Sequence, residues 1–173
     1  MKEDKQQITN NAYDYLAKSY KDLSNKKRTY LNSINSLVIP YLEGKNVLDI
    51  GSGDGERIAK IYKEVFINEL TCFEPSVEMY KLLSDFDFIN PVNVSAQKFV
   101  EGYYSKFDVV TALWNVFGHI STLENLEKSL KNIRGYLKKN GRLIIDVNNR
   151  LNASSYGLHV AIYRIIIDYL NFL

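Results

Sequence analysis

The stretch from Val47 to Gly55 brings together the residue types that are best suited to holding a ligand. An apolar run ends there and is followed at once by glycines at every second position, Gly51, Gly53 and Gly55. Glycine reaches backbone angles that are closed to other residues, and it carries no side chain to keep a ligand away from the main chain. The pattern therefore predicts a loop whose backbone touches its ligand directly.

Spacing and charge limit which ligand this loop can hold. A dinucleotide-binding loop, G-x-G-x-x-G, would need its third glycine at position 56, where the chain has Glu56. A phosphate-binding P-loop is excluded because no Gly-Lys-Ser/Thr follows the glycines. The acidic residues Asp49, Asp54 and Glu56 would repel a pyrophosphate. The residues thus favour an uncharged or cationic ligand.

Alternating strands and helices position this loop at the edge of a sheet. Apolar runs predict strands at 45–50, 69–73, 92–94, 107–113 and 142–147, and amphipathic patterns predict helices at 58–66, 77–83 and 123–137, the second capped by Ser76. This alternation is typical of a parallel sheet that is covered on both faces. Such sheets bind ligands at the carboxyl ends of their strands. We therefore expect a doubly wound α/β fold with the glycine loop at its binding edge.

The remaining segments are expected to complete one domain over residues 1–173. Apolar residues at intervals of three and four predict two helices between residues 8 and 41, separated near 24–27, which make residues 1–44 a helical cap on a core at 45–147. Residues 148–173 are predicted to form a loop and one helix. That helix is apolar but falls short of the ~20 residues needed to cross a bilayer, so no membrane partner is expected.

The sequence resembles the class I S-adenosylmethionine-dependent methyltransferases of the small-molecule type. Their first motif, D-x-G-x-G-x-G after a strand, is matched in full, and weaker similarity runs from about residue 13 to residue 149. The resemblance implies a Rossmann-like, mostly parallel sheet and S-adenosyl-L-methionine as the cofactor. The cofactor contacts that it implies in the loop are Asp49, Gly51, Ser52, Gly53 and Gly55.

Further cofactor contacts are implied by the same resemblance at the second and third strands. In the family, an acidic residue after the second strand binds the two ribose hydroxyls, and Glu74 holds that position, with Pro75 and Ser76 beside it. A carboxylate suits this task because it offers two acceptor oxygens to two vicinal donors. After the third strand the usual adenine-binding Asp is replaced by Ser95. The contacts expected there instead are Ala96 and Gln97.

The loop after the fourth strand is where the family places cofactor and substrate contacts. Leu113 and Trp114 are expected beside the sulfonium, where the indole ring could face the positive charge; a core position is the alternative for Trp114. His119 is the candidate general base because it titrates near neutral pH, and a structural role is its alternative. Tyr20, with Tyr13, resembles the helix that covers the cofactor.

Composition and charge limit the compartment and the partners. The net charge is +2 and the pI is near 8.5, which is milder than the pI above about 9 that marks a nucleic-acid-binding domain. Cys72 is the single cysteine, so no disulfide can form within the chain and a cytoplasmic protein is expected. A basic cluster is interpreted as a solvated helix face, with a nucleic acid as the alternative: Lys128, Lys131, Arg134, Lys138, Lys139 and Arg142.

The expected function is methyl transfer to a small-molecule acceptor by direct in-line displacement. The alternatives are an RNA or protein methyltransferase and a non-catalytic cofactor-binding module. Domains of this family normally continue beyond the fifth strand with a helix and an antiparallel hairpin, but only 26 residues follow Val147. We therefore expect the hairpin to be absent, either because the chain is a fragment or because it is a trimmed variant with a sheet edge that a partner covers.

Overall fold

The computed structural model describes residues 5–20, 28–147, 149, 151 and 157–172, which form strands and α-helices in alternation. The strands are β1 (Asn46–Ile50), β2 (Glu69–Phe73), β3 (Asn90–Val92), β4 (Phe107–Ala112) and β5 (Leu137–Ile145). The helices are α1 (Lys5–Leu16), α2 (Arg28–Val38), α3 (Glu56–Glu64), α4 (Val77–Leu83), α5 (Leu123–Tyr136) and α6 (Leu158–Phe172).

The strands form one sheet in the order β3-β2-β1-β4-β5, and all four neighbouring pairs run parallel. The chain moves outward from β1 to β3 on one side and then crosses back to β4 on the other. This reversal leaves a crevice between β1 and β4 at their carboxyl ends, where open α/β sheets bind ligands. The predicted doubly wound fold is confirmed, and the glycine loop after β1 opens into this crevice.

Helices cover both faces of the sheet because successive strand residues point to opposite sides. In β1, Val47 packs into a core with residues of α2 and α3, whereas its neighbour Leu48 packs into a second core with Ile133 and Tyr136 of α5. Both β1 side chains are fully buried. Apolar runs in the strands, rather than alternating ones, are the sequence signal of such two-sided burial.

Most strands differ from their predicted bounds, and two of them begin earlier because of pairing that the local sequence does not reveal. β3 begins at Asn90 instead of residue 92, since Cys72 of β2 pairs with Pro91, and the sheet edge tolerates a proline. β5 begins at Leu137 instead of residue 142. Leu137 pairs with Phe107, and an irregularity in register follows before the next pair.

The segments that flank the core agree with the predicted helices. α2 and α6 lie in the ranges predicted for the N-terminal and C-terminal helices, and α1 begins three residues before the predicted start at residue 8. The predicted break at residues 24–27 lies outside the described residues. Within the described part of the chain, β5 is the last strand at its edge of the sheet. None of the described helices is both long enough and apolar enough to pass through a bilayer.

Candidate functional site

One pocket lies at the carboxyl ends of β1, β2 and β4, beneath α1. The residues of the sequence-based prediction that line it are Tyr20, Gly51, Ser52, Gly53, Glu74, Pro75, Ser76, Ala96, Gln97, Leu113, Trp114 and His119. These residues come from five separate segments of the chain. The topology therefore brings together, in one pocket, residues that are spread over a hundred positions of the sequence.

Gly53 presents bare main chain to this pocket. Its φ of +61° lies in the left-handed region, and a Cβ built on it would meet nothing nearer than the Tyr20 ring, at 3.8 Å. The space in front of the loop is thus left to a ligand. Gly51 serves packing instead, since its Cβ would lie 2.7 Å from the Val116 side chain.

Glu74 lies directly after β2 and is 5% exposed. Its Oε2 accepts a hydrogen bond from the Gly53 amide and its Oε1 accepts one from the Ser76 amide, each at 2.8 Å. A carboxylate oxygen has two lone pairs, so each oxygen can accept one more donor. Burial raises the pKa of Glu74 to about 7, with the two amide hydrogen bonds opposing the rise.

Asp49 is placed differently from the prediction, because it lies behind the loop and does not line the pocket. The alternation along β1 turns it toward α3, where it is fully buried. Both of its oxygens accept hydrogen bonds at 2.6 Å from Arg57 Nη2, and one of them also accepts from the Thr111 hydroxyl. Its role is to hold the buried Arg57 in place.

Gly55 is also placed differently from its predicted role as a cofactor contact. It is the residue before α3, with φ of +80°, and it does not line the pocket. A Cβ there would lie 2.8 Å from the Phe86 ring and 2.9 Å from Leu83. The glycine therefore allows the start of α3 to pack against the end of α4.

The loop after β4 is held in an unusual backbone conformation. Trp114 and Asn115 both have positive φ, +68° and +62°, a state that costs a non-glycine residue ~1–3 kcal/mol and is concentrated at functional sites. The Asn115 amide donates to Asp146 Oδ1 at 2.8 Å, which helps to hold the turn. Trp114 lines the pocket and also packs against the core.

His119 lies at the rim of the pocket and contacts α1. Its Nε2 is 3.1 Å from the Tyr13 hydroxyl, and the two rings meet edge to face. Partial burial lowers the pKa of His119, and burial followed by the nearby Glu74 raises that of Tyr13. Both groups are therefore neutral at pH 7, and the imidazole can accept a proton.

Asp14 attaches α1 to the floor of the pocket. Its Oδ1 accepts hydrogen bonds from the Ser76 hydroxyl at 2.6 Å and from the Glu78 amide at 3.1 Å. Ser76 also caps α4 by accepting from the Met79 amide, as predicted. The helix that carries Tyr13 is thus fixed both to the rim, through His119, and to the residue beside Glu74.

Sequence reasoning did not identify several lining residues as part of the site: Thr9, Asn10, Ile50, Asp54, Arg57, Val94, Val116 and Ile120. For Arg57 a signal existed. An aspartate inside an apolar strand is buried, and a buried charge requires a partner, so a cation close in sequence to Asp49 was to be expected. No comparable local signal marks Thr9 or Asn10, which reach the pocket only through the packing of α1.

The pocket fits the predicted cofactor. It offers bare backbone at Gly53 and a carboxylate with spare acceptor capacity at Glu74. A nucleoside that carries vicinal hydroxyls and an amino-acid tail has groups to complement both.

Comparison with known proteins supports the same conclusion. Residues 23–165 match the model of a methyltransferase domain. An uncharacterized protein of Methanocaldococcus jannaschii is 30% identical over 139 residues, which are 79% of this chain and 50% of that protein. The chain thus spans about half the length of this curated relative.

Solved structures share the fold at low sequence identity. A Thermotoga maritima protein described as an S-adenosylmethionine-dependent methyltransferase, possible histamine N-methyltransferase, has a TM-score of 0.64 at 22% identity over 80% of this chain and 61% of its own. An amino pentose methyltransferase of Micromonospora echinaspora, solved with S-adenosylmethionine, has a TM-score of 0.62 at 14% identity over 75% and 56%. A Haloferax volcanii methyltransferase in complex with the activator Trm112 has a TM-score of 0.66 at 17% identity over 86% and 68%.

The family match covers most of the chain and includes every strand and the whole glycine loop. It confirms the resemblance that the glycine motif indicated, and it supports S-adenosylmethionine as the cofactor. The chain belongs to the methyltransferase-domain family.

Proposed function

We propose that this chain binds S-adenosylmethionine in the pocket at the ends of β1, β2 and β4 and transfers its methyl group to a small-molecule acceptor. The observation that carries the proposal is the pairing of Gly53 and Glu74. The Gly53 amide donates a hydrogen bond to the Glu74 carboxylate at 2.8 Å. The backbone that would face the amino-acid half of the cofactor is thereby joined to the carboxylate that would accept the ribose hydroxyls. The family match supports the reaction class.

Different residues of the pocket are proposed to contact different parts of the cofactor. The loop at Gly51, Ser52 and Gly53 would face the amino-acid half, Glu74 would accept the ribose hydroxyls, and residues 95–97 would border the adenine. When bound, the cofactor supplies an activated methyl carbon. The remaining task of the protein is to align the acceptor and exclude water, which can lower a barrier by ~7–11 kcal/mol without a covalent residue.

His119 is proposed as the group that takes the proton from the acceptor. Its lowered pKa keeps the imidazole neutral at pH 7, and it lines the same pocket as Trp114. Its Nε2 shares a 3.1 Å hydrogen bond with the Tyr13 hydroxyl, which orients the ring; when Nε2–H is the donor of this bond, the lone pair of Nδ1 is left to accept the proton. A positioned base of this kind contributes about 10²–10⁴-fold to a rate.

A small acceptor, such as a metabolite amine or an amino sugar, fits the construction of the entrance. α1 closes over the pocket and brings Tyr13 to its wall, and Tyr20, which follows this helix, lines the same wall. Two solved relatives in fold are described as an amino pentose methyltransferase and a possible histamine N-methyltransferase. Aromatic walls of this type suit compact amphipathic molecules.

The basic cluster is weaker support for a nucleic-acid acceptor than its number of lysines and arginines suggests. Lys138 is bound to both oxygens of Asp108 at 3.0 Å, and the Arg142 guanidinium lies over the Tyr41 ring. These contacts hold two of its cations against the protein. An RNA acceptor is therefore the second outcome of the activity screen rather than the leading one.

A protein partner is proposed for the outer edge of β5. Ile145, at the end of β5, is 44% exposed, and Val147, just beyond it, is 65% exposed. An open sheet edge readily pairs with another strand, and one relative in fold was solved in complex with a methyltransferase activator. A strand supplied by a partner would cover these residues.

The function is tested in two steps. Calorimetry with S-adenosylhomocysteine should show binding at one site. A screen with methyl-labelled S-adenosylmethionine against amino sugars, biogenic amines, RNA and proteins should then transfer label to a small amine. Binding without transfer to any acceptor class would favour a non-catalytic module, and transfer only to RNA or protein would overturn the proposed acceptor.

A further inference from the structure

The turn at Trp114 and Asn115 needs support from the rest of the structure. β4 ends at Ala112, and the chain then passes through two successive residues with positive φ, +68° at Trp114 and +62° at Asn115. Neither residue is a glycine, so this conformation is unfavourable and persists only where surrounding contacts hold it. The contacts that hold the turn therefore bear on the shape of the pocket beside it.

The turn and the residues that follow it contact three other walls of the pocket. Val116 packs against the glycine loop, since a Cβ on Gly51 would lie 2.7 Å from its side chain. The centre of the Trp114 ring lies 6.0 Å from the guanidinium carbon of Arg57 in α3. His119 shares a hydrogen bond with α1. A displacement of the turn would therefore change the pocket on three sides.

Asp146 supplies a hydrogen bond that holds this turn. It lies directly after β5, at the end of the sheet where the neighbouring strand β4 leads into the turn. Its Oδ1 accepts a hydrogen bond from the Asn115 amide at 2.8 Å, and a carboxylate is a stronger acceptor than a neutral oxygen. The Asn115 carbonyl in turn accepts from the Gly118 amide at 2.9 Å. The support that begins at Asp146 thus extends to the residue beside His119.

We propose that Asp146 is a positioning residue for the cofactor pocket. Its carboxylate holds the strained turn and so keeps Trp114 and His119 at the pocket wall. Asp146 does not line the pocket itself, so it acts through the turn and not by touching the ligand. This inference rests on the proposed function, because it assigns to Asp146 an effect on the binding of S-adenosylmethionine and its product.

Fluorescence and calorimetry on Asp146 variants test the proposal. Trp114 is the only tryptophan in the chain, so the intrinsic emission reports on this turn. In Asp146→Ala the emission maximum should move to longer wavelength, because a loosened turn exposes a ring that packs against the core. Calorimetry should show S-adenosylhomocysteine binding about tenfold more weakly.

A milder variant keeps the test decisive if Asp146→Ala does not fold. Asp146→Asn keeps the shape and an acceptor oxygen but loses the charge, so the hydrogen bond is weakened and not removed. It should show a smaller emission shift in the same direction and about two- to threefold weaker S-adenosylhomocysteine binding. Circular dichroism checks the folding of each variant.

Asp108→Ala is the matched control. The Asp108 carboxylate also accepts a hydrogen bond from a backbone amide, that of Asn46 at 3.0 Å. It lies near the start of β4, however, at the opposite end of the sheet from the pocket. The variant should lose thermal stability but keep the Trp114 emission, and its affinity for S-adenosylhomocysteine should change less than about twofold.

A glycine at position 115 tests whether Asp146 acts by holding the strained turn. Glycine adopts positive φ readily, so the turn of Asn115→Gly should depend less on its support. Adding Asp146→Ala to that variant should weaken S-adenosylhomocysteine binding less than Asp146→Ala does in the native chain. An equal loss of affinity in the two backgrounds would overturn the proposal.

The outcomes separate the inference from the proposed function. If Asp146→Ala changes neither the emission nor the affinity, or if Asp108→Ala changes both to the same extent, the positioning role is wrong while cofactor binding stands. If the native protein does not bind S-adenosylhomocysteine, the proposed function fails. The Trp114 emission of Asp146→Ala then still decides whether Asp146 holds the turn.

Discussion

At the scale of single residues, the site depends on groups whose ordinary properties are altered by their neighbours. Glu74 is a carboxylate made less acidic by burial, Gly53 is held in a left-handed conformation, and Arg57 is a buried cation with one end unpaired. The buried carboxyl of Glu74 and the unpaired end of Arg57 are costly for folding alone, whereas the conformation of Gly53 is one that glycine adopts readily. Local costs of this kind are expected at functional sites.

Cofactor affinity should depend on pH through Glu74. Its pKa of about 7 means that the carboxylate is half protonated near neutrality, and only the ionised form offers acceptors to both ribose hydroxyls. Calorimetry with S-adenosylhomocysteine should therefore show affinity that rises between pH 6 and pH 8. The Glu74→Gln variant should bind S-adenosylhomocysteine more weakly, with an affinity that does not change over this pH range. If the variant kept the pH profile of the native protein, Glu74 would not be the source of the pH dependence.

The raised pKa of Glu74 also predicts how the stability of the ligand-free protein depends on pH. Because burial raises the pKa of Glu74 in the folded state, protonation favours folding, and this stability is lost as pH rises through 7. Thermal unfolding between pH 5 and pH 8 should show a larger decrease in stability for the native chain than for Glu74→Gln. Equal slopes for the two proteins would contradict the assignment.

A large side chain at Gly53 should abolish cofactor binding. Gly53→Leu would fill the space in front of the loop, and its positive φ adds backbone strain of ~1–2 kcal/mol. Gly44→Leu is the matched control, because Gly44 has a similar φ of +65° with open space around it. Calorimetry should show binding lost in the first variant and retained in the second, with similar losses of thermal stability.

At the scale of secondary-structure elements, α1 is the part that makes the pocket a closed site. It is attached through Asp14 to Ser76 and Glu78, and through Tyr13 to His119. These polar contacts attach the end of the helix that carries Tyr13 to the rim and the floor of the pocket.

Removing the attachment should loosen α1 without unfolding the sheet. Asp14→Ala deletes the hydrogen bonds to Ser76 and Glu78, so hydrogen exchange in residues 5–16 should become faster and S-adenosylhomocysteine should bind several-fold more weakly. Tyr15→Ala is the control, since Tyr15 is 86% exposed on the same helix. Faster exchange across β1 and β4 as well would show that Asp14 instead supports the whole domain.

Elements with local signals were predictable from the sequence, and elements set by distant pairing were not. The glycine loop and the Ser76 cap depend on neighbouring residues, and both were predicted where they occur. β3 was displaced because pairing with β2 outweighs the proline at position 91. The contact between Tyr13 and His119 joins residues 106 positions apart, and no local pattern encodes such a distance.

At the scale of the whole molecule, the sheet places its binding edge at one end and leaves apolar surface elsewhere. Ile145 at the end of β5 and Val147 just beyond it are exposed, and α6 exposes several large apolar side chains: Leu158, Ile162, Tyr163, Ile165, Ile166, Tyr169 and Leu170. Apolar surface of this extent usually marks a region that contacts other protein. The longer relative in M. jannaschii has additional chain that this sequence does not match.

The isolated chain should therefore associate with itself as its concentration rises. Sedimentation velocity should show a concentration-dependent increase in mass. Ile166→Lys with Tyr169→Lys should reduce it at little cost to thermal stability, because both side chains are more than half exposed. A strictly monomeric native chain at high concentration would show that this surface does not promote association.

The central claim is that the ribose and amino-acid halves of S-adenosylmethionine meet at Glu74 and Gly53. A crystal structure with S-adenosylhomocysteine tests it most directly. We expect both ribose hydroxyls to lie within hydrogen-bond distance of the Glu74 carboxylate and the homocysteine half to lie against the backbone of residues 51–53. A ligand bound anywhere else, or a sugar that does not contact Glu74, would contradict it.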